Sequence, residues 1–389
     1  MRLLHTSDWH LGRTLHGVDL LSAQAAVLGQ IEGLVAAPPD GIAVDAVIVA
    51  GDVYDRAVPP VEAVALFART LGELARHSTV IVSSGNHDSA IRLGFGSRLF
   101  TDRIRLRTEL AEVGTPVLLG STEAPVAIYP LPYLDPDSAR FALSPDGEPL
   151  ARSHQAVMSA AMDRVRADLA GRPGHRCVVA AHAFVVGGQP SESERSIVVG
   201  GVDSVAADTF AGADYVALGH LHGAQQPRGS GPAVLAYSGS PLRYSFSELA
   251  QTKSVNLVDL PAAGPVTVTQ VPLVQPRQMA ELTGRLDQLL ASTGHEQDWV
   301  RVTITDRARP DQLFDRLKAR FPYLLNVVFA PDGAQPAGVV AARLAVEPSP
   351  RELAGDFIAH VTGVEASEVE LALFEGAYVA ALAEHAAAG

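Results

Sequence analysis

Five short apolar runs in this chain each stop at, or just before, side chains that can ligate a metal. Residues 1–5 precede Ser7-Asp8-Trp9-His10, and Val47-Ile48-Val49-Ala50-Gly51 closes on Asp52. Val80-Ile81-Val82-Ser83-Ser84-Gly85 leads into Asn86 and His87. Cys177-Val178-Val179-Ala180-Ala181 leads into His182, and Tyr215-Val216-Ala217-Leu218-Gly219 into His220-Leu221-His222. Short β-branched runs ending in Gly or Asp are predicted buried strands. In open α/β sheets, sites form in the crevice outside the strand carboxyl ends. One such end carrying Asp or His is ordinary. Five together predict a metal centre.

The donor set narrows the metal. Asp8, His10, Asp52, Asn86, His182, His220 and His222 offer oxygen and imidazole donors without a thiolate. That suits Mn, Fe, Co or Zn rather than a structural zinc site. The set exceeds what one ion takes, unless a carboxylate bridges two. Asp52 is the expected bridge, because its strand is central, between the Asp8/His10 end and the Asn86 end. Two ions about 3.5–4 Å apart can clamp both oxygens of an in-line phosphoryl displacement. The bland alternative is five unrelated strand ends. It is favoured for any single motif and disfavoured for the ordered set.

In chain order, Asp8-x-His10, Gly51-Asp52, Gly85-Asn86-His87-Asp88, His182 and Gly219-His220-x-His222 resemble the calcineurin-like metallophosphoesterase superfamily. The flanks are more particular. Residues 1–12, Gly51-Asp52-Val53-Tyr54-Asp55, Ser191-Glu192-Ser193-Glu194-Arg195 and Gly239-Ser240-Pro241-Leu242 with Ser245, Phe246 and Lys253 resemble the SbcD family. These are the nuclease subunits of bacterial SbcCD complexes.

The resemblance implies an α/β fold: a four-layer αββα sandwich over residues 1–272, a smaller α/β capping domain over 273–346, and a C-terminal helix pair over 347–389. It implies one ion on Asp8, His10 and His222 and another on Asn86, His182 and His220, with Asp52 shared and Mn²⁺ preferred. The implied reaction is hydrolysis of DNA phosphodiesters by a hydroxide that the two ions activate. Duplex ends would be cut exonucleolytically, and single strands or hairpins endonucleolytically. The implied setting is DNA recombination, replication and repair, in a heterotetramer of a homodimer with an SbcC-type coiled-coil ATPase. No Gly-x-x-x-x-Gly-Lys-Ser/Thr occurs in the chain, so ATP hydrolysis falls to that partner.

His87, one residue beyond Asn86, is expected to face substrate rather than to ligate. There it can stabilise the phosphorane or protonate the leaving 3′ oxygen. Asp88 either orients the His87 imidazole from behind or caps the next helix. His5 is expected buried in its strand, and His16 lies near the site in sequence. Rival readings are a phosphatase or cyclic-nucleotide phosphodiesterase, and a scaffold whose metal site no longer turns over. The second sits poorly with an intact ligand set.

A net charge of −13 argues against general nucleic-acid affinity but not against a local basic surface. Arg92, Arg98, Arg103, Arg105 and Arg107 follow the Gly-Asn-His-Asp motif with one acid, Asp102, among them. They are candidate phosphate contacts, with Arg13 beside them, or equally a solvated face with structural ion pairs. A single cysteine, Cys177, excludes an intramolecular disulfide and fits a reducing cytoplasm. No apolar run approaches the roughly 20 residues that span a bilayer, and cleaving a secretory leader would remove Asp8 and His10. The expected location is cytoplasmic and nucleoid-associated.

Helical spacing marks residues 19–36, 60–77 and 153–169, between strands that include 126–131, 234–237 and 255–260. A second unit reads as helix 279–290, strand 299–305, helix 310–321 and strand 323–329. Ser349-Pro350-Arg351-Glu352 and Ser367-Glu368-Val369-Glu370 fit Ser-x-x-Glu helix starts, with Gly363 as a stop between them. This acidic pair either packs on the capping unit or docks on the ATPase.

Overall fold

The computed structural model describes residues 1–331 apart from 101, 196 and 198–203, and residues 350–387 apart from 363 and 364. The chain divides into two units, Met1–Phe329 and Ala330–Gly389. The main elements of the first begin with β1 (Arg2–Thr6), α1 (Leu21–Ala36), β2 (Ala46–Ala50), α2 (Val61–Ala75), β3 (Thr79–Ser83) and β4 (Ile104–Arg107). They continue with β5 (Val117–Gly120), β6 (Pro125–Pro130), α3 (His154–Ala170), β7 (Arg176–His182), β8 (Tyr215–Gly219), β9 (Val234–Tyr237), β10 (Ser254–Asp259) and β11 (Thr267–Pro272).

Two sheets result. One has the order β11-β10-β1-β2-β3-β4, and the other β9-β8-β7-β6-β5. Strands β1 to β4 run parallel, as do β6 to β9. Their continuous apolar character follows from burial on both faces. In β2, Val47 and Val49 pack outward with Leu28, Ile31, Phe67 and Leu71 of α1 and α2. Ala46 and Ile48 point inward and meet Ile128, Val178, Ala180 and Ala217 of the facing sheet. In β7, Cys177, Val179 and Ala181 turn outward with Val157, Ala161 and Val165 of α3. The layers are therefore helix, sheet, sheet, helix, and Cys177 is a buried core thiol.

The region after the sandwich departs from the sequence expectation. Residues 279–290 are not one helix: β12 (Met279–Gly284) is a strand, and α4 (Leu286–Ala291) follows it. The order is completed by β13 (Trp299–Ile304), α5 (Leu313–Arg320) and β14 (Leu324–Phe329). The apolar spacing suits a helix, but Thr283 and Gly284 are poor helix formers in its middle. Residues Met279–Gly284 find a parallel partner in β13 instead, and that tertiary pairing wins. Met279 and Trp299 pack with Leu15, Leu20, Leu242, Tyr244 and Phe246, joining this small sheet to the sandwich.

The second unit is described as α6 (Pro350–Thr362) and α7 (Glu368–Ala387). Pro350 takes the first helical position. The Ser367 hydroxyl accepts from the Glu370 N–H (3.4 Å) while the Glu370 carboxylate accepts from the Ser367 N–H (2.8 Å), a reciprocal cap. Ser349, Gly363 and residues 332–346 of the expected capping domain lie outside the described residues. Among the described residues, no helix is long and apolar enough to cross a membrane.

Candidate metal centre

The carboxyl ends of β1, β2, β3, β7 and β8 gather at one rim. After β1 the chain runs beside the end of β2, with Asp8 N–H donating to the Gly51 carbonyl (3.1 Å) and His10 N–H to that of Asp52 (3.0 Å). Glycine permits the sheets to close this tightly. A Cβ on Gly219 would lie 1.8 Å from the Ala50 carbonyl oxygen, and one on Gly85 would lie 2.1 Å from Asp52 Oδ1. The glycines of Gly-His-x-His and Gly-Asn-His-Asp are thus steric requirements of the rim.

Asp8, His10, Asp52 and His220 themselves have positive φ, between 43° and 106°. Non-glycine residues seldom occupy this region, and such strain clusters at sites where the surroundings enforce it. Both carboxylate oxygens of Asp8 accept from the His220 N–H (3.0 and 3.2 Å), and Ser7 Oγ donates to it as well.

All seven expected ligands converge on the rim, although the close groups are unequal. Asp8, His10 and His222 form one buried cluster, and Asp8, Asp52 and His182 form another. Asp52 Oδ2 lies 3.6 Å from His10 Nε2 and 3.4 Å from His182 Nε2, between the two. His182 Nε2 is also 2.9 Å from Asn86 Oδ1. The close groups among the described residues do not include His220, whose ring centre is 5.4 Å from that of His182.

The donors fit cations. His10 Nε2 and His222 Nε2 are 3.0 Å apart. Two imidazole nitrogens bound about 2.1 Å from one ion at a right angle have roughly that separation. His182 Nδ1 donates to the Ala50 carbonyl (3.0 Å), so its Nε2 lone pair faces two oxygen atoms. Without a metal that arrangement demands a proton. Burial opposes the charge, but the Asp52 and Asp8 carboxylates outweigh it and push His182 up to about 9. Burial drives His10 well below its ordinary range and His220 down to about 3, which leaves them as the neutral donors a metal needs.

His87 stands half-buried beside this group, with Nε2 4.0 Å from Asp52 Oδ2 and its ring edge-on to His10. Its Nδ1 donates to the Asp55 carbonyl (2.7 Å). Asp88 therefore does not orient the His87 ring at Nδ1. Its carboxylate accepts from the N–H groups of Val53, Tyr54 and Gly85 (2.9–3.1 Å), tying the loops after β2 and β3 together. A short carboxylate one loop away satisfies three buried donors, a demand the sequence did not display. His5 is buried, with Nδ1 2.8 Å from the Tyr215 hydroxyl, and His16 tilts against Phe246.

The arginines separate. Arg13 lies over the Tyr244 ring and 3.5 Å from Asp55, beside the rim. Arg92 and Arg98 are exposed, with Arg92 donating to the Ala57 carbonyl (3.3 Å) and Arg98 3.5 Å from Glu109. Arg103 donates to the Ala75 and Arg76 carbonyls at the end of α2, while Arg105 pairs with Asp102 (2.7 Å) and Arg107 with Glu112 (2.5 Å). Sequence reasoning also missed Asp55, Glu194 and Glu248 around the ligands. The Ser191–Arg195 and Gly239–Lys253 blocks carried a signal, because they resembled a family without any assigned role.

Residues 1–224 match the calcineurin-like phosphoesterase family, and residues 275–362 match a type 5 capsule protein repressor C-terminal domain. A Staphylococcus epidermidis protein, named as a subunit of the nuclease SbcCD, is 28% identical over 338 residues, covering 85% of this chain and 86% of that protein. A Staphylococcus saprophyticus protein of the same name is 30% identical over 332 residues, covering 84% of each. Among solved structures, Haemophilus influenzae NAD nucleotidase overlaps 92% of this chain and 71% of its own at 12% identity and a TM-score of 0.36, too weak a likeness to bear on function.

Proposed function

Since the chain belongs to the calcineurin-like phosphoesterase family and, within it, to the SbcD nuclease subunits, we propose that its rim binds two divalent ions and cleaves DNA phosphodiesters. It is a hydrolase of the nuclease class. The observation that carries the two-ion reading is the position of Asp52 Oδ2, 3.4 Å from His182 Nε2 and 3.6 Å from His10 Nε2. Asp8, His10 and His222 would hold one ion, and Asn86, His182 and His220 the other, with Asp52 between. When bound, the ions, Mn²⁺ by preference, supply Lewis acidity to the phosphate and lower the pKa of water.

The protein's own residues do the rest. His87, anchored at Nδ1 by the Asp55 carbonyl, turns Nε2 toward the rim, where the imidazolium form carries a second proton on Nε2 that stabilises the phosphorane and passes to the leaving 3′ oxygen. Arg13, Arg92 and Arg98 contact backbone phosphates and carry no sequence information. The substrates are duplex ends, cut exonucleolytically, and single strands or hairpins, cut endonucleolytically, in DNA recombination, replication and repair in the cytoplasm. An SbcC-type ATPase docks on the α6–α7 pair, whose Leu353, Phe357 and Leu373 are exposed. The chain acts as a homodimer within a heterotetramer with that ATPase, and Ile91, Phe95 and Leu99, exposed just after the Gly-Asn-His-Asp loop, are apolar surface open to a further contact. Incubating the purified chain with Mn²⁺ and end-labelled hairpin, duplex and single-stranded DNA tests the function. Turnover of a small phosphodiester with no DNA cut would transfer the assignment to a small-molecule phosphodiesterase.

A further inference from the structure

Residues 245–253 supply no ligand, yet they carry a fully buried ion pair: Lys253 Nζ lies 2.6 Å from Glu248 Oε2. Two charges taken out of water lose much of their mutual attraction to desolvation, and apolar residues of similar size often hold a fold as well. The reason for these charges therefore lies in what they touch. Glu248 Oε1 is 3.1 Å from His222 Nδ1, and it accepts from Ser193 Oγ, itself 2.7 Å from the same nitrogen. A carboxylate only accepts, so Nδ1 carries the ring proton and the lone pair sits on Nε2. Nε2 is the atom facing His10 at 3.0 Å.

The backbone of His222 is held from the same side. Its N–H donates to Glu194 Oε1 (2.7 Å), and its carbonyl accepts from Lys253 Nζ (2.9 Å). Lys253 also donates to Ser240 Oγ (2.9 Å) and Gln251 Oε1 (2.7 Å), which satisfies its head group without solvent. Every polar group of His222 except Nε2 is thus engaged. His182 differs, because its Nδ1 donates to a neutral carbonyl.

We propose that Glu248, kept in place by Lys253, is a positioning residue for the metal centre: it fixes the tautomer and orientation of His222 and strengthens it as a donor to the ion it would share with Asp8 and His10. A carboxylate on the far nitrogen of a ligating imidazole has this effect. The inference rests on the two-ion reading above and makes a claim that reading does not: the effect falls on one ion of the pair.

The test is calorimetric titration of Mn²⁺ into the full chain as wild type, Glu248→Gln, and Glu248→Gln with Lys253→Met. The double variant removes both charges and leaves no unpaired buried lysine. The expected result is one ion bound about 10–100-fold more weakly and the other unchanged, with melting in chelator at or above the wild-type temperature for the double variant. Excess Mn²⁺ is then expected to restore most of the nuclease rate, a change in KM for metal rather than in kcat. Unchanged affinity in the folded double variant overturns the proposal. So does equal weakening of both ions with lower melting, or a rate loss that excess metal does not repair. Nitrogen NMR of the wild-type histidines needs no variant, and a proton on His222 Nε2 in the metal-free chain overturns it outright. A wild-type chain that binds fewer than two ions instead defeats the two-ion reading, and the proposal with it.

Discussion

The rim of the sandwich and the C-terminal helix pair are finished to different degrees by their own chain. At the rim, four ligands hold positive φ, a conformation that costs of order 1–3 kcal/mol per non-glycine residue. The loops around them are pinned by Asp88, by Glu248 and by backbone bonds between β1 and β2. On the helix pair, Arg351 bridges Glu368 and Glu375 at the surface, while Leu353, Phe357 and Leu373 stay exposed. The rim's own chain fixes its geometry, although among the described residues His10 Nδ1 and Asn86 Nδ2 are buried there without a hydrogen-bond partner. The helix pair leaves apolar area unburied, as expected of a face that another molecule completes. Missing contacts are informative in one region, and over-determined contacts in the other.

The strongest way to break that contrast is to remove the carboxylate between the two histidines. Asp52→Asn keeps the shape and loses the charge, and it is expected to lower nuclease turnover by about 10³-fold, the worth of several kcal/mol of transition-state stabilisation. Bound Mn²⁺, measured after dialysis, is expected to fall below the wild-type content. An undiminished rate would move the chemistry away from this rim. His87→Ala is expected to cost about 10²-fold or more in turnover while both ions remain. Loss of an ion instead would place His87 among the ligands, a role that its proximity to His10 and Asp55 allows.

How much of this was legible follows from the same contrast. The parallel strands announced themselves because both faces are buried, and their ligands sit directly at the strand ends. The strand Met279–Gly284 did not, since its apolar spacing also suits a helix and its partner lies on a different segment. Positive φ at Asp8 or Asp52 leaves only a weak trace in residue type, since Asp tolerates that region more readily than most residues without requiring it. Glu248 lies 26 positions from His222 in the chain, so no local spacing joins them. The arginine run had its partners hidden too: Arg103 meets carbonyls at the end of α2, and Arg107 meets Glu112.

Glycine sharpens the comparison without touching any charge. Gly219→Ala places a methyl 1.8 Å from the Ala50 carbonyl oxygen and 2.9 Å from His182 Nδ1. Either β8 or β2 must move, at an expected cost of about 1–3 kcal/mol in thermal unfolding, with weaker ion binding. Gly355→Ala in α6 meets nothing closer than Leu371 Cδ2 at 3.6 Å, an ordinary contact. There the better helix former is expected to stabilise α6 by up to about 1 kcal/mol. Equal effects at the two positions would mean that the rim is no tighter than the helix pair.

The smallest expected effect is on the rim when the helix pair is removed. Residues 349–389 contain none of the seven ligands, nor His87, so deleting them leaves the donor set and its hydrogen-bond partners whole. Single-strand cleavage with Mn²⁺ is expected to stay within about twofold of the full chain, as for changes at sites that share no partner. Association with an SbcC-type ATPase, followed by co-purification, is expected to be lost. Replacing Phe357 and Leu373 with Ser in the full chain is the finer version, because it keeps the helices and removes only exposed apolar surface. If those two substitutions leave the complex intact, the ATPase reads another face, and the exposure of the pair must be explained by something other than docking.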